Sequence, residues 1–430
     1  MTDVGKTRAT PRKNLSRKYR PHALSNDEYL QLEEVIFLGK ILVEVIAHGK
    51  STDTVVPNEL LAWLDELEQK RRQLLTMPKL TRLPRNTRVP QYTSVMGALG
   101  QMLGRLADFE NMFLFSPNQC LTLAPLLFPN GFQSPGHGRL GSEEALLVLL
   151  ATLRDRNSNF VTLGQTLGRD PDNLSRHVKN MIAHLDQRYG RLFDVSMLKI
   201  HADTDANGVA RNVPIWQGAI ERLFHAKFPN IDMHEYFKGV CLIMDGMRYD
   251  VARCSFAPIQ EVTYSGYTGK HDTVCGVIIA PDGMVLALIG PYPGRHNDHV
   301  FCTPELQSAV RAIRAKILAD GLFAVRDWLR PLPGVNEMQN YGLAGNQVAA
   351  ASSMRLPVEW TIGHAKSSFP FAFVGKRNKI LQTDVNARLR VSFLLRNLHT
   401  LMNGNNTSKY FAVRQTLSLN EYLARATMPV

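Results

Sequence analysis

The sequence predicts an α/β fold, with a mixed sheet flanked by helices, preceded by an all-helical region. Two short apolar runs predict buried strands: Gly239–Met244 leads into Asp245, and Ala315–Ala319 leads into Asp320. A glycine follows each aspartate, so both strands are expected to end at an Asp-Gly pair. Upstream of residue 190, apolar residues recur with the helical period instead.

A hairpin completes the predicted sheet. Residues 273–280 and 284–290 are apolar runs on either side of a Pro281-Asp-Gly turn, and they predict paired strands. With the Asp245 strand they make a three-stranded antiparallel start, which is followed by a helix and then by the Asp320 strand. The predicted sheet is therefore mixed.

The chain divides into five predicted regions. Residues 1–25 hold seven Lys or Arg residues against one acid, with few apolar residues, which predicts a disordered basic arm. Such an arm serves as a nuclear localisation signal, as a DNA-grasping arm or as a plain solvated tail. The other regions are a helical N-terminal region at 26–130, a helix-turn-helix-like unit at 142–190, a connector at 191–238 and the α/β domain at 239–425.

Residues 142–190 predict three helices in the manner of a helix-turn-helix unit. Asp170 is placed to cap the third helix, with Pro171 at its first position. The outward face of that helix suits a recognition helix in a major groove, although helix triplets also occur in domains that bind no DNA. The outward-facing polar residues expected to contact DNA are Asn173, Arg176 and Lys179.

One short run carries three charged residues at helical spacing. Arg355 and Glu359 lie four residues apart and Lys366 lies seven further on, so all three fall near one face of a helix. A carboxylate flanked by two cations suits a site that holds a divalent metal and handles phosphate. The alternative is an ordinary ion pair at the surface.

Three acidic residues predict a metal site. In open α/β sheets, ligand groups lie just past the carboxyl ends of the strands, so Asp245 and Asp320 can converge with a helix-borne Glu359. Carboxylate oxygens are ligands that Mg²⁺ and Mn²⁺ prefer. Two such ions activate a water or a 3′-hydroxyl and stabilise the leaving oxygen of a phosphodiester. Each Asp-Gly pair alone is also typical of a turn.

Several distinctive segments occur in a fixed order between residues 240 and 425. They are Ile243–Tyr249, Tyr264–Lys270, Ala280–Leu286, Gly290–His299, Leu318–Phe323, Arg355–Gly363 and a tail of Leu395–Thr400, Thr407–Phe411 and Leu419–Leu423. Through this ordered set the chain resembles the DDE-type transposases of the PIF/Harbinger superfamily and the transposase-derived nucleases related to them. The set is specific, although no single segment is.

The resemblance implies a ribonuclease-H-like fold and a DNA endonuclease that uses two Mg²⁺ or Mn²⁺ ions. Asp245, Asp320 and Glu359 would hold the ions, while Arg355 and Lys366 would orient Glu359 or neutralise phosphate charge. Such an enzyme cuts a strand at a transposon end, and the freed 3′-hydroxyl then attacks target DNA. The resemblance also implies a Myb-like accessory protein from the same element, and a homodimer is left open.

Asp298 also matches a family position. We expect it either to cap a helix from about His299 to Ile313, which is the favoured interpretation, or to add a carboxylate near the metals or the DNA. The chain departs from the family at Phe323, where Tyr is usual, and at Met247, where Thr is common. The alternative function is therefore a domesticated, non-catalytic nuclear DNA-binding protein derived from a transposase.

Composition favours a nucleic-acid partner. The net charge of +12 and the pI near 9.5 favour a polyanion such as DNA. Five cysteines without Cys-x-x-Cys spacing predict reduced thiols. Since the sequence has no secretory signal and no apolar run of membrane length, we expect a nuclear protein without membrane contact. The basic residues expected to follow phosphates, with a solvated face as the alternative, are Lys270, Lys376, Arg377 and Lys379.

Overall fold

A computed structural model gives the structure of the protein. It describes residue 69 and residues 106–429, apart from 135–137, 157–158, 168, 230–231, 335–336, 376–377, 381–382 and 414–416. The predicted basic arm, most of the helical region at 26–130, and both Lys376 and Arg377 therefore lie outside the described residues.

The helical region packs around one central helix. Its helices are α1 (Leu106–Phe113), α2 (Pro117–Leu127), α3 (Ser142–Arg154), α4 (Phe160–Leu167) and α5 (Pro171–Tyr189), and the short strands β1 (Phe132–Gln133) and β2 (Arg139–Leu140) pair antiparallel between α2 and α3. Residues 145–153 of α3 are all buried, so this helix forms the centre of the region. Three helices occupy 142–190, as predicted.

α5 begins as its sequence predicts. The side chain of Asp170 accepts a hydrogen bond from the backbone N–H of Asn173 at 2.9 Å, and Pro171 takes the first helical position. Leu174 and Val178 are buried, whereas Asn173 is exposed. The helix therefore has an apolar inner face and a polar outer face.

The connector carries short helical elements. They are the 3-10 turns Gly190–Phe193 and Val195–Met197 and the helices α6 (Leu198–His201) and α7 (Asn212–Lys227). An isolated antiparallel bridge joins Thr204 to Ala210 in the polar loop between the two helices. Trp216 and Phe224 of α7 are buried, so this helix packs on the rest of the protein through its aromatic side chains.

The described part of the α/β domain carries the main sheet and the remaining helices. Its strands are β3 (Val240–Asp250), β4 (Tyr264–Ser265), β5 (Lys270–Ile279), β6 (Val285–Pro293), β7 (Lys316–Ala319) and β8 (Leu329–Pro331). Its helices are α8 (Ala257–Thr263), α9 (Pro304–Ala312), α10 (Gly345–Ser368), α11 (Val385–Asn403), α12 (Asn406–Phe411) and α13 (Leu419–Ala424). Short 3-10 turns cover Asp298–Phe301, Gln339–Tyr341, Pro370–Phe373 and Arg425–Thr427.

The main sheet runs in the order β6–β5–β3–β7–β8, and β4 pairs with the start of β5. β3, β5 and β6 are antiparallel neighbours, whereas β7 and β8 run parallel to β3. The first strand of the domain is thus central, with an antiparallel pair on one side and a parallel pair on the other. This order fits a ribonuclease-H-like core and confirms the predicted mixed sheet.

Asp245 lies in the middle of a strand, so the prediction that its strand ends at the Asp-Gly pair is wrong. β3 continues to Asp250 because β5 pairs with it along this whole stretch, with Asp245 opposite Val277. Long-range pairing therefore overrides the local turn signal. β7 does end at Ala319, and the Asp320 carboxylate accepts a hydrogen bond from the next backbone N–H at 2.7 Å, as expected of an Asp-Gly turn.

The helical region is attached to the α/β domain by packing and by one ion pair. A continuous core of buried side chains extends from α1 through the sheet to α13. The Arg390 guanidinium on α11 donates two hydrogen bonds to the Asp186 carboxylate on α5, each at 2.6 Å. Across the described ranges, every helix is too short or too polar to cross a membrane.

Candidate active site

A pair of glycines next to Asp245 allows a neighbouring turn to pack closely on the sheet. Gly246 on β3 faces Gly276 on β5 in the strand register. A Cβ on Gly246 would lie 2.8 Å from the Asp298 carboxylate, and a Cβ on Gly276 would lie 2.9 Å from the Phe301 ring. The 3-10 turn Asp298–Phe301 therefore lies directly on the sheet, and it carries Asp298 to the strand that holds Asp245.

The interpretation of Asp298 as a helix cap is wrong. α9 begins at Pro304, and its cap is Thr303, whose hydroxyl accepts a hydrogen bond from the Leu306 N–H at 3.2 Å. Proline at the first helical position starts the helix here, six residues after Asp298. The Asp298 side chain caps no helix and faces Gly246 instead.

Asp245 is the most perturbed carboxyl of the site. Its side chain is 18% exposed. The pKa of Asp245 is raised to about 6, mainly by burial and also by the charges of Glu359 and Asp320, while Arg355 and the Gly246 N–H act in the opposite direction. Asp320 and Glu359 therefore both lie within electrostatic reach of Asp245.

Asp298 is electrostatically coupled to one member of this group, Asp320. Burial raises the pKa of Asp298, and the charge of Asp320 also raises it, whereas the Arg248 guanidinium lowers it. Asp245, Asp298, Asp320 and Glu359 are called the acidic cluster below. The cluster draws on β3, the 3-10 turn, the end of β7 and α10, so no single segment predicts it.

Arg355 and Glu359 lie on α10 as their spacing predicts, and they form an ion pair there. Arg355 also reaches across to the sheet, where its Nη1 lies 3.1 Å from Asp245 Oδ2. Its Nε is buried and has no hydrogen-bond partner among the described residues. One guanidinium thus connects the carboxylates of β3 and α10.

Lys366 contacts the backbone of the sheet. Its Nζ donates to the carbonyl oxygen of Arg248 at 3.0 Å, which ties the C-terminal half of α10 to β3. Burial lowers the pKa of Lys366, and the charges of Asp250 and Asp245 raise it. The ammonium is therefore close to the acidic cluster, on the same side of α10 as Arg355.

Pro357 lies inside α10, between Arg355 and Glu359. A proline has no N–H to donate to the carbonyl four residues earlier, which here is that of Ser353. The hydroxyl of Tyr410, on α12, donates to this carbonyl at 3.1 Å instead. A side chain from outside the helix thus satisfies the acceptor that the helix leaves open.

Arg248 is a site residue that sequence reasoning missed. Its guanidinium donates to the carbonyl oxygens of Gly294 and His296, each at 2.8 Å, and to Ser265 Oγ at 3.1 Å. It also pairs with Asp272 at 3.2 Å. These bonds hold the β4–β5 hairpin and the loop before Asp298 against β3. The available signal was a charged residue within an apolar strand, three positions after Asp245.

The remaining predicted DNA-contacting residues lie on separate surfaces. Asn173, Arg176 and Lys179 are exposed on α5, Lys270 is exposed at the start of β5, and Lys379 is exposed near the end of β3. Lys270 Nζ lies 3.6 Å from Asp250 Oδ2. The neighbours of Lys379 in the predicted basic stretch, Lys376 and Arg377, fall outside the described residues.

The chemistry of the acidic cluster fits a divalent cation. Carboxylate oxygens suit Mg²⁺ or Mn²⁺, and the charges of Asp320 and Glu359 that act on Asp245 are negative charges that a cation would offset. In the arrangement seen here, no group of three or more His, Cys, Asp or Glu among the described residues stands ready to hold a metal. The Arg355 guanidinium supplies positive charge between two of the carboxylates instead.

Comparison with known proteins supports a nuclease in this part of the chain. Residues 244–397 match the sequence profile of a family described as DDE superfamily endonuclease. That span contains the whole acidic cluster. No curated protein matches the chain.

One solved structure aligns with the chain at low similarity. It is described as the crystal structure of a pre-cleavage Mos1 transpososome, and it covers 88% of this chain and 98% of that chain at 11% identity, with a TM-score of 0.19. A likeness at that TM-score does not bear on the fold, which rests on the strand order.

Proposed function

We propose that the protein is a metal-dependent DNA endonuclease of the transposase type, which cuts transposon ends and joins 3′-hydroxyls to target DNA. The observation that carries the proposal is the coupling of Asp245 to Asp320 and Glu359 at the centre of a ribonuclease-H-like sheet. The DDE endonuclease match over residues 244–397 supports it. The net charge of +12 is appropriate to a DNA substrate.

Each residue of the site has a role in this proposal. Asp245, Asp320 and Glu359 hold two Mg²⁺ or Mn²⁺ ions, with Asp298 as a further carboxylate beside them. The bound ions supply Lewis-acid activation of the attacking oxygen and stabilisation of the leaving oxygen. Lys366 donates positive charge next to the scissile phosphate, and Arg248 keeps the loop before Asp298 in position.

DNA binding in this proposal uses surfaces outside the acidic cluster. The exposed face of α5, with Asn173, Arg176 and Lys179, reads the transposon end in a major groove. Lys270 and Lys379 follow the phosphate backbone near the end of β3. Lys376 and Arg377, which lie outside the described residues, are assigned to the same role from the sequence. The exposure of α5 supports this assignment, since a recognition helix must present its polar face to solvent.

The ordered sequence segments between residues 240 and 425 support a narrower assignment within the transposases. We assign the chain to the PIF/Harbinger subtype, acting in the nucleus as a homodimer with a Myb-like accessory protein. The basic residues of the arm at 1–25 support nuclear entry. Co-purification of the tagged chain with the accessory protein from the same element tests this part separately from catalysis.

A nicking assay on supercoiled DNA tests the central proposal. Wild type is expected to nick with Mg²⁺ or Mn²⁺ and to stop in the presence of a chelator, whereas Asp245→Asn, Asp320→Asn and Glu359→Gln lose nicking by about a thousand-fold or more. Asp327→Asn, an exposed carboxylate near β8, is the matched control and keeps full activity. Joining is then followed with a labelled end whose 3′-hydroxyl is free.

The alternative functions give different results in the same assay. DNA binding without nicking by wild type would show a domesticated DNA-binding protein. Nicking without joining would show a plain metal nuclease.

A further inference from the structure

Arg355 occupies the space between two carboxylates of the acidic cluster. Its Nη1 is 3.1 Å from Asp245 Oδ2, and its Nη2 donates to Glu359 Oε1. The Arg355 and Asp245 side chains are 17% and 18% exposed, so their contact lies largely away from solvent, whereas Glu359 is 42% exposed. Charge-assisted hydrogen bonds of this kind are among the stronger ones in proteins.

Arg355 and a divalent cation compete for the same two carboxylates. A metal shared by β3 and α10 needs lone pairs of Asp245 and Glu359, and the guanidinium engages one oxygen of each. A cation placed between them also meets the positive charge of Arg355 at close range. Metal binding at this place is therefore opposed as long as the Arg355 side chain stays between the carboxylates.

We propose that Arg355 is a built-in competitor for the metal site, which holds the acidic cluster closed to divalent cations until a DNA phosphate draws the guanidinium away. This inference rests on the proposed function, since it concerns the regulation of the same site. Arg355 is a positioning residue in the free protein and a phosphate-binding residue once DNA is present.

The Nε of Arg355 is a hydrogen-bond donor that a phosphate can satisfy. This Nε is buried without a hydrogen-bond partner among the described residues, and a buried unpaired donor is unfavourable. A phosphate accepts from Nε and one Nη together, in the bidentate geometry that guanidinium favours. The solvent side of α10 is open beside it, where the neighbouring Leu356 is 39% exposed.

Lys366 does not act in the same way. Its Nζ is held by the Arg248 carbonyl, and no ion pair to the acidic cluster is formed by it among the described residues. A cation that is bonded to the backbone leaves the carboxylate oxygens accessible. The competition is therefore specific to Arg355.

Competition of this kind couples metal and DNA binding. If DNA removes Arg355 from Asp245 and Glu359, DNA must tighten metal binding, and metal must tighten DNA binding by the same factor. The free protein then carries little bound metal and cuts little until it is on its substrate.

The test is the affinity for Mn²⁺ without DNA, measured by electron paramagnetic resonance of free Mn²⁺. Arg355→Gln is expected to bind Mn²⁺ about ten- to a hundred-fold more tightly than wild type, because one charged hydrogen-bonded competitor is removed. Arg311→Gln, which removes an equal charge from an exposed ion pair with Asp327, is the control and keeps the wild-type affinity. Circular dichroism verifies that each variant is folded.

A second arm adds a short DNA duplex, with a DNA-only blank subtracted. The duplex is expected to tighten Mn²⁺ binding to wild type about tenfold and to leave Arg355→Gln nearly unchanged. Arg355→Lys keeps the charge but cannot bridge two carboxylates. The effect of the duplex on its Mn²⁺ affinity is therefore expected to lie between the effects on wild type and on Arg355→Gln.

The outcomes separate this inference from the proposed function. An Arg355→Gln affinity equal to or weaker than that of wild type overturns the competition, even if Asp245→Asn abolishes nicking as proposed. Nicking by Asp245→Asn at the wild-type rate overturns the proposed function instead, whatever the Mn²⁺ affinities are.

Discussion

The Asp298 carboxylate lies 2.8 Å from the position that a Cβ would take on Gly246. The absence of a side chain on Gly246 is therefore what allows Asp298 to approach β3 next to Asp245. The neighbouring strand also needs a glycine here, since a Cβ on Gly276 would lie 2.9 Å from the Phe301 ring. Both ends of one 3-10 turn thus depend on glycine.

Gly246→Ala is expected to displace Asp298 and to disturb the acidic cluster. A new methyl group meets the carboxylate at less than contact distance, so the Asp298 side chain or the 3-10 turn must shift. We expect nicking to fall by about a hundred-fold, since a displacement of about 1 Å at a catalytic site has that effect. Gly363→Ala, on the open side of α10 with no atom within 4 Å of its Cβ position, is the control. Full activity of Gly246→Ala would contradict the packing described here.

Asp245 destabilises the metal-free protein at neutral pH. Because burial raises its pKa to about 6, the folded state holds this proton more tightly than the unfolded chain does. The stability contributed by the protonated Asp245 carboxyl is fully present below about pH 4 and is lost as the pH rises through about 6. We therefore expect Asp245→Asn to raise the free energy of unfolding by about 2 kcal/mol at about pH 7.5, with chelator present.

Urea unfolding at two pH values checks the Asp245 prediction. The gain should be absent at about pH 4, where both forms of the protein carry a neutral side chain at this position. An equal gain at both pH values would mean that the charge of Asp245 is not the cause.

His399 makes the protein sensitive to acid. Burial, together with the charges of Arg396, Arg154 and His364, lowers its pKa to about 4. The stability associated with the neutral ring is present above about pH 6.5 and is lost as the pH falls through about 4. His399→Gln should reduce this acid-induced loss by about 2 kcal/mol, because glutamine does not titrate and its oxygen can still accept from Arg396.

The unfolding free energy measured from about pH 7 to about pH 4 tests the role of His399. His225→Gln, at an exposed position on α7, is the control and should follow the wild-type curve. Parallel curves for wild type and His399→Gln would remove His399 as a source of acid sensitivity.

Asp186 and Arg390 join α5 to α11 with two hydrogen bonds of 2.6 Å. The Asp186 side chain is 11% exposed, so its loss leaves a cation poorly solvated. Asp186→Asn is expected to lower the free energy of unfolding by roughly 2–3 kcal/mol. Asp327→Asn breaks a similar bidentate pair with Arg311 that is exposed, and it should change stability little. Equal effects in thermal unfolding would show that burial does not strengthen the Asp186 pair.

Local signals were sufficient for most of the elements. Asp170 caps α5, and Arg355 and Glu359 pair on one helix, because capping and i,i+4 contacts depend on residues a few positions apart. The hairpin around the Pro281 turn and the Asp320 strand also follow from local apolar runs.

Contacts between distant segments were not accessible in this way. Asp245 reads as a turn residue until β5 is known to pair beside it, and Asp298 reads as a helix cap until Gly246 is known to lie under it. Arg248 joins three segments, which are its own strand β3, the β4–β5 hairpin and the loop before Asp298. The roles of residues 1–105 stay predictions, since the structure describes only residue 69 among them.

Pro357 lies within the helix that carries Arg355 and Glu359, and Tyr410 bonds to the carbonyl that the proline leaves open. The ring of Tyr410 also packs edge-on against Trp360, so it contacts α10 on both sides of the proline. Tyr410 thereby fixes α12 to the turns of α10 that flank Arg355 and Glu359, and a shift of α12 would move those turns.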